Sequence, residues 1–192
     1  MALHRRQHQV HGQLERAVLI MALQGKFVVD NTPTLTLVMF GVGRFPAFSG
    51  DGIYRNRGGC TALQDNGPIP SGKYWIVDRP SGAFRSQTEA LVKDTWNSVW
   101  GAPTHHDEWF ALYHDGKKID DYMWINGVRR GNFRLHPAGG QGRSLGCITL
   151  PSKADFQKIR TALLHTSKIS VGTSGLKSYG WIEVVTYGNS CP

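Results

Sequence analysis

The chain has 192 residues, 40% apolar and 19% charged, a length that fits one domain with ample material for a core. Its 8 Phe, 6 Tyr and 6 Trp exclude a disordered chain, no apolar stretch approaches the roughly 18–20 residues of a membrane-spanning helix, and 3 Cys are too few for a disulfide-dense mini-protein. Lys and Arg outnumber Asp and Glu by 22 to 14, a net +8, so the chain favours an acidic partner: nucleic acid, a membrane surface or an acidic polymer.

Residues 1–20 differ from the rest, with His4, His8 and His11 among Arg5, Arg6 and Arg16. The apolar run Ala17–Leu23 lacks the small-residue cleavage site of a secretory signal, and the repeat of Met-Ala-Leu at Met1 and Met21 suggests a start at Met21. We read 1–20 as a flexible N-terminal extension and 21–192 as one domain. Phe27–Val29 and Thr34–Phe40, joined by Asp30-Asn31-Thr32-Pro33, read as a β-hairpin. Gly41–Gly59 is Gly-rich and reads as loop, and Gly67–Gly72 is a turn leading into a strand, Lys73–Asp78. Ser86-Gln87-Thr88-Glu89 has the form of a capping box before Leu91, Val92, Trp96 and Val99 at helical spacing, with Gly101 and Pro103 as the stop. Trp109–Tyr113, Tyr122–Ile125 and Phe133–Leu135 read as strands. His114, Asp115, Asp120 and Asp121 read as a loop between the first two. Pro151-Ser152 opens a second helix, Lys153–His165, with Phe156, Ile159 and Leu163 on one face, and Trp181–Thr186 is a closing strand. The fold class is α+β, mostly β, with two helices.

Chemistry concentrates in Asn132–Ser152 (NFRLHPAGGQGRSLGCITLPS). His136 ends one strand and Cys147 begins another, eleven positions on, across a Gly-rich loop. Facing strand ends would bring the imidazole within reach of the thiol, which is what an activated cysteine nucleophile needs. Gly146 removes a side chain where backbone N–H groups must approach a developing oxyanion. A buried Cys is ordinarily a small hydrophobe, but the flanking strands, the Gly-rich loop and Ser144 make this composite more specific than a lone pair.

Ser144-Leu145-Gly146-Cys147 after His136 resembles the active-site signature of L,D-transpeptidases of the YkuD type. Closer still is a divergent branch of type VI secretion effectors with L,D-carboxypeptidase and L,D-transpeptidase activity, which the segments Gly50–Asn56, Asn66–Arg79 and Asn132–Leu150 also resemble. The likeness covers roughly Met21–Val185. Leu145 stands where the larger family has His, and the loop from His to Cys is shorter. The resemblance implies an L,D-transpeptidase-like β-sandwich that uses no metal or cofactor. Cys147 would be the nucleophile and His136 the general base. Ser144 and Gly146 would shape the pocket, and the Pro137 carbonyl is a candidate to orient the second imidazole nitrogen. The implied substrate is the tetrapeptide stem of peptidoglycan. The implied setting is a monomeric antibacterial toxin made in the cytoplasm, delivered by a contact-dependent secretion apparatus, active in the target's periplasm and matched by an immunity protein.

Arg129, Arg130, Arg134 and Arg143 lie between Asn126 and Pro151 with no acidic residue. Stem peptides end in carboxylates, which Arg grips in bidentate fashion, and Arg134 and Arg143 are the candidates. With Cys147 assigned, Cys60 and Cys191 are left as a disulfide candidate in an oxidising compartment. His105-His106-Asp107-Glu108 has ligand-type side chains, but neighbours on an extended segment point apart, so no metal site is assigned. Asp78-Arg79, at a strand end, either supports the site or simply pairs. The alternative is a non-catalytic basic domain binding cell wall or nucleic acid. Zinc-ligand spacing, a helix-turn-helix pattern and an RRM aromatic motif are all missing, and we assign no nucleic-acid partner.

Overall fold

The computed structural model describes residues 22–78, 108–140 and 142–192. The helix read at 86–101 and the residues 1–20 lie outside them.

Twelve strands and one α-helix are formed among the described residues. Strand β1 (Leu23–Val29) turns back into β2 (Leu35–Met39), the antiparallel hairpin read from the sequence. Alternation drives it: Phe27 and Val29 of β1, and Leu35, Leu37 and Met39 of β2, all face the core, each burial contributing roughly 1.5–3 kcal/mol. A third strand, β3 (Gly43–Ala47), follows where the Gly-rich segment had read as loop. Its Gly43 and Pro46 hide the pattern, yet Phe45 and Ala47 alternate inward. β3 hydrogen-bonds in the sheet order only to β2, the edge position where a strand proline is tolerated.

β4 (Gly72–Asp78) and β5 (Phe110–His114) pair antiparallel, close to the spans read from the sequence. A small separate hairpin, β6 (Tyr122–Ile125) and β7 (Val128–Gly131), is closed by Asn126 and Gly127, both at positive φ (48° and 77°). Asn-Gly is the strongest short hairpin signal, so β7 was legible although the sequence reading passed over it. β8 (Arg134–Pro137) and β9 (Ile148–Leu150) then run parallel.

Helix α1 (Lys153–Leu164) follows. Ser152 caps it by accepting from the Asp155 N–H at 3.1 Å, and Phe156, Ile159 and Leu163 are buried. Two short strands, β10 (Ile169–Ser170) and β11 (Lys177–Ser178), lead to β12 (Gly180–Thr186), which runs parallel to β1 and antiparallel to β4.

Eight strands form one sheet in the order β3-β2-β1-β12-β4-β5-β8-β9. Its two ends meet: Phe48, just past β3, bridges Thr149 of β9 through reciprocal backbone hydrogen bonds of 2.9 Å each. The mostly-β α+β class therefore holds, and the facing layers of the expected sandwich are parts of one sheet curled nearly into a barrel. The main core fills its inside, from Phe27 and Leu37 through Ile76 and Leu112 to Leu135, Ile148 and Leu150, with the apolar face of α1. A smaller cluster of Trp75, Val77, Ala111 and Val171 lies apart from it. Cys60 and Cys191 form a disulfide that ties the C-terminal tail to a 3-10 turn at Gly58–Cys60.

Candidate active site

The site is built on β8 and β9, whose register pairs Leu135 with Ile148, His136 with Thr149 and Pro137 with Leu150. Leu135, Ile148 and Leu150 join the main core with Phe156 and Ile159 of α1. His136 and Thr149 are cross-strand partners, and their side chains meet. The sequence reading had the end of one strand facing the start of the next. Because the strands are parallel, His136 stands instead beside Thr149, and Cys147 precedes Thr149 by two residues. Cys147 and His136 thus stand on the same strand pair, two register positions apart.

The imidazole is held on three sides. Nδ1 lies 2.7 Å from the Pro137 carbonyl oxygen. That oxygen only accepts, so Nδ1 carries a proton, and in the neutral form of the ring Nε2 is the unprotonated nitrogen. Nε2 lies 3.2 Å from the Thr149 hydroxyl, which in this tautomer donates to it. The Trp109 indole stacks on the ring at 4.3 Å between centroids and 22° between planes. His136 and Thr149 are fully buried.

Cys147 is also fully buried, and with the other two cysteines in a disulfide it is the free thiol of the chain. Its Sγ–H points toward the Asn132 carbonyl at 3.7 Å, and the Arg134 backbone N–H is directed at the sulfur. Burial pushes the thiol up to about 11; nearby Arg134 and Arg130 oppose that rise, and Asp121 adds to it. The resting residue is therefore a neutral thiol at pH 7.

Ser144 is buried and donates to the Cys147 carbonyl at 3.0 Å, closing the turn that delivers the thiol. Gly146 sits at φ +93°, and a Cβ there would come within 2.6 Å of the Arg130 guanidinium and 3.1 Å of the Phe133 ring. Only glycine fits both the conformation and the space. The arginines divide. Arg134 is buried and grips Asp121 with two parallel hydrogen bonds of 2.5 and 2.6 Å, so its carboxylate-binding edge is already occupied. Arg143 donates through Nε to Asp51 at 2.8 Å, with its side chain 39% exposed. Arg130 is buried among backbone carbonyls, and Arg129 lies over the Tyr122 ring at 3.8 Å.

Three residues here had no role in the sequence reading: Asp121, Thr149 and Trp109. Asp121 sat in a polar stretch that reads as loop, and Thr149 and Trp109 each look like ordinary strand residues. Only Thr149 carried a signal, its two-residue spacing from Cys147 on an extended segment. Asp78 pairs with Lys168 and accepts from the Tyr179 hydroxyl, while Arg79 lies outside the described residues. Of the 105–108 cluster only Glu108 is described, and it accepts from Gln157 at 3.1 Å.

The arrangement is a buried thiol with backbone partners and an imidazole of fixed tautomer, linked by a parallel strand pair that closes the sheet. No curated protein matches the chain. The family model of the Tlde1 domain matches residues 43–174, a span that includes His136, Ser144, Gly146 and Cys147. It leaves out β1, β2 and β12, which complete the same sheet. The match covers more than half of the 192 residues, and the chain belongs to the Tlde1 domain family of type VI secretion antibacterial effectors.

Proposed function

We propose that this effector is a cysteine-dependent L,D-carboxypeptidase acting on the tetrapeptide stems of peptidoglycan, with L,D-transpeptidase activity where an amine replaces water. The observation that supports this reading best is the His136 tautomer. With Nδ1–H held by the Pro137 carbonyl, Nε2 is the atom able to take a proton on the strand pair that carries Cys147.

The chemistry runs in two halves. Nε2 takes the Cys147 proton as the sulfur attacks the carbonyl carbon of the third stem residue. The tetrahedral intermediate collapses as the C–N bond to the terminal D-alanine breaks, and the imidazolium returns its proton to the leaving amine. A thioester remains. Water, deprotonated by His136, attacks it and releases the tripeptide acid and the free thiol; a D-amino acid amine gives the exchanged stem by the same path. Because the resting thiol is neutral, deprotonation accompanies attack. Because Cys147 and His136 are fully buried, the carbonyl reaches them only when the site opens.

Pro137 orients the base, Ser144 shapes the thiol turn, and Gly146 leaves its N–H able to approach an oxyanion. Arg143, partly exposed on the same loop, is the candidate for the stem's carboxylates, whereas Arg134 acts through Asp121 and the thiol's surroundings. Substrate in the periplasm of target cells, delivery by the secretion apparatus and a cognate immunity protein complete the reading. Incubation of purified muropeptides with the full chain and with Cys147→Ala tests it. Loss of D-alanine from tetrapeptides, abolished by the substitution, is the expected result; inert muropeptides together with tight DNA binding would favour the basic binding domain instead.

A further inference from the structure

Arg130 is an unusual cation among the described residues. It leaves β7, is 3% exposed, and makes no ion pair with a carboxylate among the described residues. Its guanidinium donates instead to the carbonyls of Thr61, Gly67 (2.8 Å) and Pro68 (3.4 Å), and it lies 5.5 Å from the Phe133 ring centroid. Burial holds this guanidinium below its ordinary value, at about 10, so it is still positively charged at neutral pH and up to about pH 9. The same nitrogen that bonds Gly67 fills the space where a side chain on residue 146 would stand.

The segment that Arg130 grips is fastened from its other side. Gly58 and Gly59 press against the backbones of Tyr187 and Ser190, where any side chain would collide, and Cys60 is joined to Cys191. Residues 58–68 thus form a plate between the C-terminal tail and the Cys147 turn, with Arg130 as the rivet on the active-site side.

We propose that Arg130 is a positioning residue for Cys147: it clamps the 61–68 segment against Gly146, fixing the thiol's approach, and supplies an unneutralised positive charge that favours the thiolate. The kinetic part rests on the function proposed above. Among the described residues, the other charged or titratable groups around the pair include Tyr74 and Asp65 near Arg130, Arg134 and Asp121 near Cys147, and His136 on the strand beside Thr149. Arg134 is ion-paired with Asp121, whereas Arg130 acts on the thiol without an ion pair of its own among the described residues.

The test uses the full oxidised chain, in which Cys147 is the free thiol, and follows its iodoacetamide alkylation rate from pH 7 to 9, where Arg130 keeps its charge. Arg130→Gln is expected to move the rate–pH curve up by about one unit, or about tenfold slower reaction at pH 9. Arg130→Lys keeps the charge but cannot span three carbonyls. It is expected to retain the wild-type curve while kcat for D-alanine release falls at least about tenfold and KM stays within about threefold. A wild-type curve in folded Arg130→Gln, or wild-type kcat in Arg130→Lys, overturns the proposal. Should Arg130→Gln lack the wild-type near-UV CD spectrum, the kcat of Arg130→Lys decides. The alkylation curves are read whether or not stem peptides prove to be substrates, so failure of the proposed reaction is distinguishable from failure of this one.

Discussion

Cys147 and His136 are both enclosed, and their behaviour follows from what encloses them. The thiol, raised to about 11 by burial from an ordinary value of 9.0, is protonated in both folded and unfolded chains below about pH 9. Between about 9 and 11 the unfolded chain loses its proton while the folded one keeps it, so stability falls as pH rises through that window. Wild type is expected to lose melting temperature relative to Cys147→Ser between pH 9 and 11, read by thermal melts across that range; parallel curves would contradict the burial argument. Thr149→Val keeps the shape but removes the hydroxyl beside Nε2. It is expected to fold, cost about 1 kcal/mol, and change the pH dependence of kcat, because the proposed base then loses one of its hydrogen-bonding neighbours. Arg143→Ala should raise KM about tenfold with kcat little changed, the mark of a residue that binds the stem without touching the reacting carbonyl. Asp121→Asn strands a buried guanidinium beside the thiol, and denaturant melts are expected to show a loss of about 3–5 kcal/mol.

At the scale of elements, the strand pair that carries His136 and Cys147 was legible and its direction was not. FRLH and ITL read as strands because Phe133, Ile148 and Thr149 favour extended backbone and the runs are short, and β8 and β9 form there with ends shifted by a residue or two. Nothing local distinguishes a parallel return from an antiparallel one, since that is decided by the bridge to Phe48 and by α1 packing behind Leu135 and Ile148. β3 was hidden by Gly43 and Pro46, residues that break strands unless an edge accommodates them. The second helix was legible from its cap and from Phe156, Ile159 and Leu163, and it forms at the residues read. The disulfide between Cys60 and Cys191 was suggested only by counting thiols, whereas its physical basis is the close packing of the 58–60 turn on the tail. Replacing both cysteines by serine is expected to cost about 2–5 kcal/mol and to leave the core strands formed, as measured by thermal melting and far-UV CD.

For the whole molecule, the opening excess of +8 is not a uniform basic face. Arg134 is spent on Asp121, Arg130 on the 61–68 carbonyls, and Arg143 in part on Asp51. The charges that looked like a patch in sequence are largely structural parts of the site, since buried cations find partners that a linear reading cannot see. The fold class was readable because strand alternation is local, but the closure of one sheet on itself depends on contacts between Phe48 and Thr149, about a hundred residues apart in sequence. Closure also explains why a small β-rich chain encloses a thiol completely: the bridge that joins the sheet's ends is the same residue that faces the imidazole.

The central claim is that Cys147 takes the stem as a thioester. Intact-mass spectrometry of the full chain, quenched in acid within seconds of mixing with a tetrapeptide muropeptide, reads it directly. An adduct equal to the stem without its terminal D-alanine, located on Cys147 and missing from Cys147→Ala, is the predicted result; release of D-alanine that persists in Cys147→Ala would contradict it.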